Sequence, residues 1–156
     1  MFHITCMSHG WFGFSLGDGK NTFEISCSNI GEYDIIRELL SNLDNMIYEE
    51  LNKAYFFLNH ESSASLMVLD RTGDAIHIEV KEIIDSNAHF LNVRDPASFE
   101  SKCGSTVFKY NTKLILLARD VWNELKKIDL TIYFLKRNLK ALTNISDIEY
   151  KINKNS

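Results

Sequence analysis

Two stretches of strict alternation limit what this chain can become. In WFGFSL, Phe12, Phe14 and Leu16 fall on one side of an extended chain, and Trp11, Gly13 and Ser15 on the other. After GDGK the alternation resumes, with Phe23, Ile25 and Cys27 set against Thr22, Glu24 and Ser26. Successive strand residues face opposite ways, so alternation on both sides of a short glycine-rich link describes a β-hairpin. The competing reading of Gly17-Asp18-Gly19-Lys20 is a phosphate-binding loop. That chemistry needs a longer glycine loop and a Lys-Ser/Thr pair opening a helix. Here Lys20 is followed by Asn21-Thr22 and a strand pattern, so GDGK is read as a turn.

A second hairpin follows the same logic. Residues 75–83 (AIHIEVKEI) place Ile76, Ile78 and Val80 inward and His77, Glu79 and Lys81 outward. Arg71-Thr72-Gly73-Asp74 joins this run to the apolar stretch Ser65–Asp70, and aromatic-rich Ala54–His60 precedes both. Between the hairpins, Ile36, Leu40, Leu43 and Ile47 recur at helical spacing, and Asn29 with Glu32 has capping-box spacing. The expected helix has about four turns. Residues 85–104, which hold the only proline, read as a long surface loop, a kind of segment that often carries function. Thr106–Tyr110 reads as a short closing strand.

From Asn111 the pattern changes. Leu114, Ala118, Val121, Leu125, Ile128, Ile132, Leu135, Leu139 and Leu142 keep a 4-3 spacing without glycine or proline. One helix of about thirty residues, roughly 45 Å long, fits that pattern. A break after Lys127-Ile128, with Asp129 as the cap of a second helix, is the competing reading. A continuous helix would overhang strands only about 17–20 Å long. The seam Ile132, Leu135, Leu139 and Leu142 would then need cover, from the first helix or from a second copy of the chain.

The expected fold is α+β, with an antiparallel sheet of about five or six strands and amphipathic helices on one face. The order is ββαβββ(β)α, ending in the long helix. A length of 156 residues suits a single domain over 1–156, with flexible ends expected at 1–10 and 146–156. The start MFHITCMSHG lacks the basic and apolar regions of a signal peptide, and no run is long enough to span a bilayer. Three widely spaced cysteines, Cys6, Cys27 and Cys103, suit free thiols in a reducing cytoplasm better than a disulfide framework.

Charge is polarised along the chain. Residues 44–100 hold 11 acids and 4 bases, whereas residues 101–156 hold 5 acids and 11 bases. Such asymmetry either steers partners or is neutralised within the fold.

Catalytic patterns are sparse. His3, Cys6 and His9 have metal-like spacing, but zinc sites pair such ligands with a second cluster, and none follows. The segment is expected to be untethered and metal-free. No nucleophile elbow is present. Nucleic-acid binding by the sheet would call for basic residues among exposed aromatics, whereas the strands carry Glu24, Glu79 and Glu82. The basic positions Lys126, Lys127, Lys136, Arg137 and Lys140 read as the solvated face of the long helix. No cofactor, membrane contact or direct nucleic-acid contact is expected.

Taken together, GWFGFSLGDGKNTFEIS, YDIIRELLSNL and SLMVLDRTGDAIHIEV resemble the strand pair, helix and meander of immunity proteins from bacterial contact-dependent growth inhibition and related polymorphic toxin systems. The resemblance spans about residues 11–126 in pattern, with no diagnostic motif, and the chain departs from it beyond Leu125. It implies a cytoplasmic, non-catalytic protein that occludes the active site of a cognate toxin domain, such as a nuclease with a basic cleft. Carboxylates attract such a cleft. Asp70, Asp74, Glu79, Glu82 and Asp85, around the second hairpin, are the expected contacts, and a solvated hairpin edge is the plainer alternative. An acidic, dimeric secretion-type chaperone and, further off, a small enzyme are the competing functions. The toxin's identity and activity are not legible in the sequence.

Overall fold

The pleated alternation of the sequence is realised as seven strands, all paired antiparallel, in a computed structural model that describes residues 1–8, 10–28, 34–48, 50–84 and 95–128 with Tyr150 and Lys154. Strands β1 (Phe2–Ser8), β2 (Trp11–Gly17) and β3 (Thr22–Ser28) form one sheet in the order β1-β2-β3. Helix α1 (Ile35–Ile47) follows. Then β4 (Lys53–Asn59), β5 (Ala64–Thr72), β6 (Ala75–Ile83) and β7 (Cys103–Lys113) form a four-stranded sheet in sequence order. A 3₁₀ helix over Pro96–Lys102 precedes β7, and α2 (Leu114–Leu125) ends the series. The α+β class is as expected, but the strands are split between two sheets.

GDGK is a turn. Asp18 Oδ1 accepts the Lys20 and Asn21 amides, each at 2.9 Å. These backbone hydrogen bonds, that from Asn21 foremost, hold the Asp18 carboxyl below its usual pKa. Gly17 has φ +144°, and a Cβ there would lie 2.0 Å from the Asn21 carbonyl oxygen, so the strand-to-turn junction admits only glycine. Phe12, Phe14 and Leu16 are buried, as the alternation requires.

Helix α1 buries Ile36, Leu40 and Leu43 as its spacing predicts. Its N-cap is Asp34, whose Oδ1 accepts from the amides of Ile36 and Arg37 at 3.1 and 3.2 Å. The capping pair expected at Asn29 and Glu32 lies outside the described residues. At the other end, Arg71 Nη1 donates to the Met46 carbonyl at 2.6 Å, placing a cation at the negative end of the helix.

The main core gathers the inner faces of both sheets under α1 and α2. It includes Phe14, Phe56, Leu69, Ile78, Leu43 and Val121, each at most 1% exposed. Helix α1 lies against β4, α2 against β1 and β7, and the two helices touch.

Three expectations are corrected. Residues 2–8 are not an untethered segment but strand β1. Phe2 pairs with Leu16 and Ile4 with Phe14, and the strand is pinned to α2 by Glu124. This nearly buried carboxylate accepts the Ile4 amide at 3.2 Å and faces His3 Nδ1 at 3.1 Å. Residues 96–104 are not irregular loop: Asp95 caps the 3₁₀ helix through the Ala97 amide, and β7 begins at Cys103. Its Phe99 covers Phe57, Leu66, Val68 and Ile83 on the outer face of the four-stranded sheet. That sheet is therefore apolar on both faces at one end, which explains the nearly unbroken apolar run of β5. Lastly, α2 does not run on through residue 128. It closes at Leu125 with Lys126 as C-cap, and residues 126–128 are non-helical. The proposed seam Ile132, Leu135, Leu139 and Leu142 lies outside the described residues.

Candidate partner-binding site

Strand β3 closes the three-stranded sheet and crosses the end of the four-stranded one. Asn21 Nδ2 donates to the Lys109 carbonyl of β7 at 3.2 Å, and the rings of Phe23 and Phe108 stack with centroids 5.3 Å apart. Further along, His60, just past β4, reaches the Ser26 carbonyl through Nδ1 at 3.4 Å and the Ser65 hydroxyl through Nε2 at 3.1 Å. Between these two attachments lies a cleft of about 610 Å³. Its volume is that of a ligand pocket.

Two kinds of group line this cleft. Ile84 and Val107 are large apolar side chains left 73% and 46% exposed. Glu24, from β3, and Glu82, from β6, bring one carboxylate from each sheet. Glu82 accepts the Ser105 hydroxyl at 3.1 Å, and neither glutamate has an ion-pair partner among the described residues. Among the described residues no lysine or arginine lines the cleft. Burial pushes the His60 pKa below its usual value, which favours the uncharged imidazole.

On the outer face of the four-stranded sheet two glutamates are engaged. Glu79 meets Lys81 and Lys109, each at 3.1 Å, and accepts the Thr106 hydroxyl at 2.8 Å. Burial would raise its pKa, but these three partners outweigh that and hold it at about 2. Glu100, on the 3₁₀ helix, accepts from Lys53 Nζ at 2.8 Å and from the Tyr55 hydroxyl at 2.7 Å. Lys53 above all, then Tyr55, keep its pKa low.

The acids expected to act together are thus dispersed. Glu79 lies on the outer face, whereas Glu82 lines the cleft beyond the β-bulge around Lys81. Asp74, at the hairpin tip, is roughly 26 Å from Glu82 along the strand. Its carbonyl accepts the Leu114 amide at 2.9 Å and its side chain borders a second cleft with Arg71 and Lys113. Asp70 is exposed beside Lys53 and His77 in the strand register. Asp85 lies outside the described residues. Sequence reasoning missed Ile84, Val107 and His60 as neighbours of Glu24 and Glu82. One signal was present: Ile83-Ile84 breaks the alternation of β6, so both cannot enter one core.

Among the described residues no group of three or more His, Cys, Asp or Glu is placed to hold a metal ion, and no helix is long and apolar enough to cross a membrane. No protein-family model matches the chain, and no curated protein matches it significantly. Among solved structures, a chain of the CdiA-CT/CdiI toxin and immunity complex from Enterobacter cloacae is similar at 11% identity. The match covers 82% of this chain and 99% of that one, with a TM-score of 0.45. The likeness is one of fold.

Proposed function

We propose that the chain is a bacterial immunity protein that binds a cognate toxin domain and blocks its active site without catalysing a reaction. The observation that carries this reading is a set of exposed carboxylates that form no ion pair among the described residues. Glu24, Glu61, Asp70, Asp74 and Glu82 are exposed and have no ion pair among the described residues. Three lysines of the four-stranded sheet, Lys53, Lys81 and Lys109, are already taken by Glu100 and Glu79.

Carboxylates that folding leaves without an ion pair present negative charge outward. Such a field attracts basic partners, speeds their association and disfavours nucleic acid. An active site built to hold phosphate is a partner of that kind, and filling it with carboxylates excludes its substrate. The assembly named in the structural comparison, a toxin and immunity complex, is the type of system in which such a protein would serve.

Co-expression supplies the test. The chain, produced alone, leaves growth unaffected, and it restores growth to cells producing the toxin domain encoded beside it. If the chain arrests growth by itself, it is the toxin and the reading is wrong. If it neither binds nor protects, the reading is lost.

A further inference from the structure

We infer that the cleft between β3 and the end of the four-stranded sheet, lined by Glu24, Glu82, Ile84 and Val107, is where the partner docks. The occupant is an extended segment that carries a lysine or arginine next to an apolar side chain. This inference deepens the proposed neutralising function and rests on it for the identity of the natural partner.

Shape comes first. Four consecutive β3 residues, Phe23 to Ser26, line the cleft, as do Ser63 to Ser65 and Glu82 to Ile84. Consecutive strand residues point to opposite faces, so a wall made of four in a row is a strand edge seen side-on. Strand β3 ends its sheet. An extended segment can follow such an edge, whereas a helix, about 10 Å or more across with its side chains, matches it poorly.

Chemistry comes second. Ile84, 73% exposed, and Val107, 46% exposed, both line the cleft and offer apolar area that water covers at a cost. Apolar side chains of a partner segment would cover that area. The two carboxylates, on separate sheets and without a lysine or arginine among the described lining residues, call for a cation between or above them. The hydrogen bond from Ser105 holds Glu82 in place, so less side-chain entropy is lost on binding.

The hairpin tip lacks this combination. Asp74 has Arg71 and Lys113 bordering the same recess, and the large exposed apolar side chains of the cleft are not among its lining residues. Outer-face Glu79 already holds two lysines. Carboxylate exposure alone would not choose among these places, but among the described residues exposure, lack of a lysine or arginine and uncovered apolar area coincide at the cleft.

The test uses the full chain labelled with nitrogen-15 and a peptide of alternating lysine and leucine, with a glutamate-leucine peptide as control. Shifts from the lysine peptide should concentrate at residues 23–26, 82–84 and 107, and the control should produce none there. Glu24→Lys with Glu82→Lys should weaken the lysine peptide about tenfold at low salt. Asp70→Lys with Asp74→Lys should leave it unchanged, and Ile84→Ala should weaken it at any salt. All these side chains are exposed, so melting temperatures should stay near the parent value. Shifts centred on Asp70 and Asp74, or equal for both peptides, overturn the assignment.

The neighbouring toxin domain, inactivated and purified, provides the second arm. If it binds the parent and the Glu24→Lys/Glu82→Lys chain equally, the docking site is wrong and the neutralising function stands. If it does not bind while the lysine peptide seats, the cleft is a cation-accepting groove and the neutralising function falls.

Discussion

The outer face of the four-stranded sheet and the cleft at its end treat glutamates in opposite ways. On the outer face, Glu79 and Glu100 are wrapped by Lys81, Lys109, Lys53, Thr106 and Tyr55. At the sheet end, Glu24 of β3 and Glu82 of β6 stand in a cleft that no described lysine or arginine lines. Both pairs come from the same acidic chain, so net charge cannot distinguish them. The difference lies in whether folding has already satisfied each carboxylate. A paired carboxylate holds the fold together and offers little to a partner, while an unpaired one beside exposed apolar area stays available for association.

The comparison breaks most readily at Phe99. Its ring, 5.0 Å from that of Phe57, is the apolar cover of the outer face. Phe99→Ala should cost about 3 kcal/mol or more of stability, read from denaturant unfolding. Partner affinity of the fraction still folded should not change. A loss of affinity equal to the loss of stability would mean that the outer face and the cleft are not independent.

Next in size is the cleft itself. Glu24→Lys with Glu82→Lys should reduce the association rate with a basic partner about tenfold at low ionic strength, and less as salt screens the field. Equilibrium stability should move by no more than about 0.5 kcal/mol, since surface changes seldom do more.

Acid titration sharpens the contrast from the other side. Glu79 has a folded pKa of about 2 against 4.5 for the free side chain. A depressed carboxyl contributes stability that is fully present above the unfolded value and is lost as pH falls toward the folded one. The melting temperature should therefore drop between about pH 4.5 and 2, and Glu79→Gln should flatten part of that drop. A variant with the parent's full pH slope would show that Lys81 and Lys109 do not stabilise the charge. The smallest effect belongs to Ser105→Ala, which removes one exposed hydrogen bond to Glu82. It should weaken partner binding by about 1 kcal/mol or less, mainly through faster dissociation.

Local rules made much of the fold readable. Alternation found both hairpins and the correct inward faces, because a period of two leaves little freedom once one face is buried. Helical spacing found α1. What stayed hidden depended on contacts between distant segments. Nothing near Phe2 to Ser8 announces a strand, since its support is Leu16 and Phe14 across β2 and Glu124 some 120 residues away. The 3₁₀ helix was hidden because Phe99 finds its apolar partners on β4, β5 and β6. In the same way Glu24 and Glu82 look like ordinary strand-surface acids until β3 is laid across the sheet end. The heptad spacing from Leu114 did establish a helix, but periodicity does not mark where one stops, and the helix closes at Leu125 with turn residues over 126–128.

The most direct trial is protection of growing cells. The parent chain, Glu79→Gln and Glu24→Lys/Glu82→Lys are each produced at equal levels beside the neighbouring toxin domain, and survival is counted. The parent and Glu79→Gln should protect, and the double reversal in the cleft should fail. Equal protection by all three would contradict a role for the cleft, and no protection by the parent would contradict the immunity function itself.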